Sequence, residues 1–198
     1  MEMTQQEIKD LVENSGQTIG GIFQTTFAYI ESNKGKEGLE KFQKEMKRLG
    51  YPIDFDQIET LKWYPTGLRA LTFVALRRAF GWNDEDMVRF GEDSVSYSPL
   101  LKFFMKYFIS MKKIFEQGSL HWKKHHTKGR LEGYEFSEKE KYAVIRIHDF
   151  KIHPDFCLFF KGYIKKLSQF SGKKIVDIKE TKCMFREDPY HEYLVNWE

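Results

Sequence analysis

Through roughly the first 118 residues, apolar side chains recur every three to four positions, the period of helices that bury one face. Ile8, Leu11 and Val12 follow Thr4, and Glu7 completes a capping-box pattern for a first helix. Ile19, Ile22, Phe23, Phe27 and Ile30 predict a second helix over Thr18–Ile30. Gly20 and Gly21 disfavour helix there, so a close approach by another segment is expected. Leu39, Phe42, Met46 and Leu49 give a third, Lys36–Leu49, stopped by Gly50 and Pro52. Trp63, Tyr64 and Pro65 read as a turn into a helix over Thr66–Phe80, which Gly81 ends. Asn83 or Asp84 caps the next, with Met87 and Phe90 inward and Gly91 as terminator. The most apolar helix, SPLLKFFMKYFISMKKIFEQG, carries Leu100, Phe104, Phe108, Met111 and Phe115 on one stripe.

From about His121 the period falls to two. Lys128–Phe136 and Tyr142–Phe150 read as strands, with Ala143, Ile145 and Ile147 on one face. A helix over His153–Phe170 follows, striped by Phe156, Phe160, Ile164 and Leu167. Two more strands, Lys174–Lys182 and His191–Trp197, flank a turn that holds Asp188 and Pro189. The expectation is an α+β fold. A helical part (1–118) packs on an antiparallel sheet of β-β-α-β-β order (119–198), all within one domain, 1–198.

Composition narrows the function. Aromatics make up 16% of the chain, with 18 Phe, which calls for a deep apolar interior or a ring-lined pocket. Net charge is only +3, from 32 basic and 29 acidic residues, so no nucleic-acid field is expected. Lys123, Lys124, Lys128 and Arg130 read as a solvated local cluster. The polar N-terminus is not a signal peptide, no apolar run is long enough to span a membrane, and two cysteines do not make a disulfide scaffold. A cytoplasmic protein is expected. No phosphate-binding glycine loop or G-x-S-x-G element is present, so a binding module is expected ahead of an enzyme.

Two groups of residues could carry chemistry. Cys183 and His191 stand in a C-x₇-H spacing across a turn, and Cys157 lies on the flank of the preceding helix. Thiolate and imidazole suit zinc, with His153, Asp155 or His148 as a fourth ligand. Buried cysteines also serve as small core hydrophobes, and the spacing leaves both roles open. His121 and His125, at i and i+4 on a helix, would face the same way, as metal or haem ligands do. The lysines around them equally fit a solvated helix end.

The run ETKCMFREDPYHEYLVNW resembles the end of the vinyl-4-reductase-like small-molecule-binding domain, and HPDFCLFFKGYIKKLSQFSGKK resembles that family's helix. Cys157 and Cys183 match two family cysteines, His191 stands where a third is usual, and Glu187 replaces a common turn glycine. The family belongs to a superfamily shared with haem NO-binding sensors and TRAPP vesicle-transport subunits. The resemblance implies an apolar pocket between helices and sheet, which Phe104, Phe108, Phe156 and Phe160 could line around a small hydrophobic ligand. A third reading, an assembly protein as the TRAPP-like relatives suggest, would bury part of the apolar helix Pro99–Phe115 against a second copy, and a homodimer is expected because symmetric pairs are the commonest oligomer. The NO sensors carry Tyr-x-Ser-x-Arg, whereas this chain has Tyr97-Ser98-Pro99 and Tyr134-Glu135-Phe136. A small-molecule sensor with a possible zinc site is therefore the leading expectation, and a haem protein with His121 or His125 as proximal ligand is the alternative.

Overall fold

A computed structural model describes residues 3–98 and 110–198. The N-terminal part contains α1 (Gln5–Glu13), β1 (Gln17–Ile19), α2 (Gly21–Arg48), β2 (Trp63–Pro65), α3 (Thr66–Phe80) and α4 (Asp84–Tyr97). Then come α5 (Met111–His125), β3 (Arg130–Ser137), β4 (Tyr142–His148), α6 (Asp155–Gln169), β5 (Ile175–Lys182) and β6 (Tyr190–Trp197). The four long strands form one antiparallel sheet in the order β3-β4-β6-β5. The fold is α+β, with helices first and the sheet last.

Local chemistry accounts for most boundaries. Thr4 and Glu7 form the reciprocal capping box of α1, and Asn83 with Asp86 forms that of α4. Gly81 ends α3 in the left-handed conformation, φ +66°. Three expectations give way to tertiary context. Thr18 and Ile19 lie in β1, not in a helix, because β1 pairs with β2 in the register Gln17↔Pro65. Trp63–Pro65 is accordingly a strand, too short for its alternation to show. The second and third expected helices are one element, broken at Gly35 (φ +64°, ψ −167°). The close approach expected at Gly20 is real: its N–H donates to Lys62 O at 2.8 Å, and a Cβ there would collide with Glu59 O.

Gly91 does not terminate α4. It faces Phe159 O on α6, while Gly162 of α6 faces Val88 O on α4, and a side chain at either would strike that backbone. The two glycines let α4 and α6 meet backbone to backbone. Helix α6 in turn covers the sheet. Ala143, Ile145 and Ile147 of β4 and His191, Tyr193, Val195 and Trp197 of β6 alternate inward beneath it. Helix α5 lies over β3, where Gly133 leaves room for the ring of Phe115. It continues past Gly118 to His125, with Gly118 against Leu131. No helix among the described residues is long and apolar enough to cross a membrane.

Candidate functional site

Between the helical part and the sheet lies a partly open cavity of about 160 Å³. Helices α2 to α6 and the inner face of β3 and β4 all contribute to its wall. Phe156 and Phe160 line it together with Trp122 and Phe159; Phe104 and Phe108 lie outside the described residues. Trp122 packs on Phe150 and Phe160 with centroids 4.9 and 5.6 Å away, and its Nε1–H donates to Lys128 O at 3.1 Å.

His121, His125 and His126 all border this cavity. The i,i+4 pair does share a face: the rings of His121 and His125 lie nearly parallel, 12° apart with centroids at 6.3 Å. The end of α5 is pinned by the first strand. Thr18 Oγ1 donates to His125 O at 2.9 Å, and Thr127 N donates to Gln17 O at 2.9 Å. Burial lowers the affinity of His121 for a proton, helped by Lys124, and lowers that of His125, helped by His121. His126 is fully enclosed, and burial, with His125 and Arg69, pushes its pKa down to about 3. Its Nδ1 is buried with no hydrogen-bond partner among the described residues. The low proton affinity favours neutral rings, the form of imidazole that ligates metals.

Arg69 of α3 also borders the cavity and is 1% exposed. Its guanidinium carbon lies 4.6 Å from the centroid of Phe73, 5.3 Å from Phe159 and 5.5 Å from Phe90. Nη1 donates to the hydroxyls of Thr26 and, at 3.3 Å, Thr72. Burial lowers its pKa to about 9.

A second site lies where the first turn of α6 meets the β5–β6 hairpin. Cys157 Sγ is 3.6 Å from Cys183 Sγ and 3.5 Å from His191 Nδ1. Two thiolates on one tetrahedral zinc, each about 2.3 Å from it, are roughly 3.8 Å apart. The structure therefore brings together the two cysteines and the histidine singled out in the sequence. The alternation of β6 points His191 inward, and Cys183 is held by its N–H donating to Asp188 Oδ2 at 2.8 Å. The hairpin turn holds Glu187 at φ +66°.

None of the three expected fourth ligands belongs to this cluster. Asp155 accepts from Arg77 at 2.7, 3.0 and 3.1 Å, His153 lies 3.7 Å from Asp155, and His148 is 2.7 Å from Glu132. Glu180 takes the place instead, and the donor atoms of Cys157, Glu180, Cys183 and His191 lie within 4.8 Å of one another. A bulge between Glu180 and Lys182 accompanies this departure from plain strand alternation. Glu180 Oε1 sits 3.4 Å from His191 Nδ1, an ion-pair distance, but among the described residues it makes no well-angled hydrogen bond and is an unsatisfied buried acceptor. Burial opposes ionisation of Glu180, yet the pull of His191 and both thiols outweighs it and holds the carboxyl below its ordinary value. Burial and the nearby Glu180 push the Cys157 thiol strongly upward.

Sequence reasoning missed Glu180, Arg69 and the cavity position of His126. The Glu-x-x-Cys spacing before the turn was the available signal for Glu180. For Arg69 it was the company of Thr72, Phe73 and Leu76 at i+3, i+4 and i+7, which places a cation in the middle of an apolar stripe.

The fold is that of H-NOX domains. A structure of an H-NOX protein from S. oneidensis in the Fe(II)NO ligation state matches with a TM-score of 0.70 at 14% identity, covering 91% of this chain and 99% of that one. An oxygen-binding H-NOX domain related to soluble guanylate cyclases, in its oxygen complex, matches at 0.64 and 14%, over 90% and 94%. The Fe(II) unliganded H-NOX protein from K. algicida matches at 0.63 and 11%, over 91% and 96%. No family model and no curated protein matches the sequence.

Proposed function

We propose that this chain is a haem-binding gas-sensor domain whose haem occupies the cavity between helices and sheet. The observation that carries the proposal is the placement of low-basicity imidazoles from the end of α5 in an aromatic-walled cavity. This supports the alternative weighed from the sequence above a sensor for another small hydrophobic ligand. The fold similarity to proteins that bind NO and oxygen supports it further.

His121 or His125 would hold the haem iron, and Trp122, Phe156 and Phe160 would pack against the group and exclude water. When bound, haem iron supplies a coordination position for a diatomic gas. The hydrogen bond from Thr18 to His125 O would fix the end of α5 and so orient the imidazoles. His121→Gly and His125→Gly, each reconstituted with haem, test the assignment. Loss of the ligated spectrum in one variant, restored by added imidazole, is the expected result. An unchanged spectrum in both would exclude them as ligands.

A second reading is favoured by the cluster of Cys157, Glu180, Cys183 and His191, which has the donor set and spacing of a zinc site. It would act as a clasp between α6 and the hairpin. The reading extends to a cytoplasmic homodimer, the dimer resting on the apolar stretch Pro99–Phe115, of which 99–109 lie outside the described residues. Light scattering at micromolar concentration tests the dimer, and a strict monomer would refute it.

A further inference from the structure

The turn that leads into β2 holds two large apolar side chains in solvent. Leu61 is 75% exposed, more than any other large hydrophobic among the described residues, and Trp63 is 39% exposed. Exposed apolar residues scattered singly are ordinary on a protein surface. These two instead flank Lys62 on a firmly anchored backbone. Lys62 N donates to Glu59 O at 3.2 Å and closes the turn. Gly20 and Gly21 pin it, their N–H groups donating to Lys62 O and Thr60 O at 2.8 Å each. Thr60 Oγ1 donates to Gln24 Oε1 at 2.7 Å, and the Tyr64 hydroxyl accepts from Glu59 N at 3.0 Å. The glycines that interrupt the helical pattern before α2 thus serve this turn: a Cβ at Gly20 would strike Glu59 O and the ring of Tyr64.

Positive charge stands close by. Thr18 of β1 pairs with Tyr64 on one side and bridges His126 on the other, so three segments run side by side across roughly 10 Å. Lys123, Lys124 and Lys128 lie within three residues of His126, and the first two are exposed. We infer that this face docks on a membrane surface that carries anionic phospholipid, with Leu61 and Trp63 entering the interface and the lysines meeting headgroup phosphates. An amphipathic indole and a lysine with a long apolar stem suit that depth, where one end of each side chain stays wet. Net attraction then sums the buried apolar area and the pull of anionic lipid on each lysine. A second protein chain fits less well. Two side chains supply far less apolar area than the roughly 1,000 Å² of a stable interface, whereas a bilayer takes up side chains one at a time. The turn hangs from the cavity wall, since Gly21 and Ile22 border that space. None of these contacts depends on what the cavity holds.

Purified full chain mixed with large unilamellar vesicles tests this, the vesicles being phosphatidylcholine alone or phosphatidylcholine with phosphatidylserine. Co-sedimentation measures binding, and tryptophan emission reports the environment of Trp63. Of the four tryptophans, Trp122 and Trp197 are buried and Trp82 is half-buried, so a blue shift on vesicles is assigned to Trp63. The expected result is binding to the anionic vesicles with a blue shift, weakened by added salt. Leu61→Ser should weaken binding about tenfold. Joint Lys123→Gln and Lys124→Gln should remove most of the preference for phosphatidylserine, and Trp63→Phe should keep the binding while losing the blue shift. An unchanged far-UV circular dichroism spectrum shows that each variant is folded. No binding to either vesicle, equal binding to both, or binding that Leu61→Ser leaves intact would overturn the inference. Self-association that depends on Trp63, seen by light scattering without vesicle binding, would assign the face to a second copy of the chain and overturn it as well.

Discussion

The sulfur of Cys157 on α6 lies 3.6 Å from that of Cys183 at the end of β5, although 26 residues separate them in the chain. With His191 and Glu180 alongside, the pair offers zinc four donors. Purified protein is expected to carry about one zinc per chain by elemental analysis. Cys183→Ala should lower both the metal content and the thermal midpoint, far beyond the cost of trimming one packed sulfur. Affinity should fall on acidification. The buried Cys157 thiol holds its proton firmly, so metal must displace it, and protons compete better as pH drops. Zinc content below about 0.1 per chain after growth with ample metal would refute the site.

Gly91 and Gly162 set the separation of α4 and α6. Because each faces backbone, relief cannot come from a rotamer change. Gly162→Ala is expected to cost about 3 kcal/mol, the upper end of overpacking penalties. Urea unfolding that shows a loss below about 0.5 kcal/mol would contradict this packing.

Arg77 joins α3 to the start of α6 through a forked contact with Asp155, whose side chain is 8% exposed. Removing the cation strands a nearly buried carboxylate. Arg77→Ala should therefore destabilise by about 2–4 kcal/mol, somewhat below the full buried-pair penalty because Arg77 is a quarter exposed. Asp155→Asn in the Arg77→Ala background should restore part of the loss. Additive losses would argue against direct coupling.

His126 makes stability depend on pH. Its pKa of about 3 in the folded chain lies below the ordinary 6.5, so the unfolded chain binds a proton first. The stabilisation is complete above pH 6.5 and is lost as pH falls toward 3, with a limiting slope of about 1.4 kcal/mol per unit. In haem-free protein, His126→Leu should flatten the change in urea midpoint between pH 7 and pH 5, above the range where carboxylates dominate. An unchanged slope would show that His126 is not buried in neutral form.

Long periodic segments were legible from sequence. The stripe of α3 gave its span residue for residue, and the alternation of β4 and β6 gave the sheet. The pair β1–β2 was not legible, because three-residue strands carry no periodicity and owe their form to each other. Gly91 misled for a related reason. A glycine that ends a helix and one that admits a neighbouring backbone look alike until the neighbour is known. In the cluster, Cys157, Cys183 and His191 were found from residue type and spacing. Glu180 was not, since plain alternation conceals the effect of the bulge after it. Glu187 sits in the hairpin turn with φ +66°, a left-handed conformation that glycine adopts at least cost and that residue type alone did not announce.

Haem titration followed in the visible spectrum tests the central claim most directly. Adding haem to the purified chain should produce a Soret band that saturates at one equivalent. The band should shift when NO is added to the reduced protein, and it should be lost or altered by glycine at His121 or His125. A titration with no break at one equivalent and a spectrum no different from free haem would contradict the account.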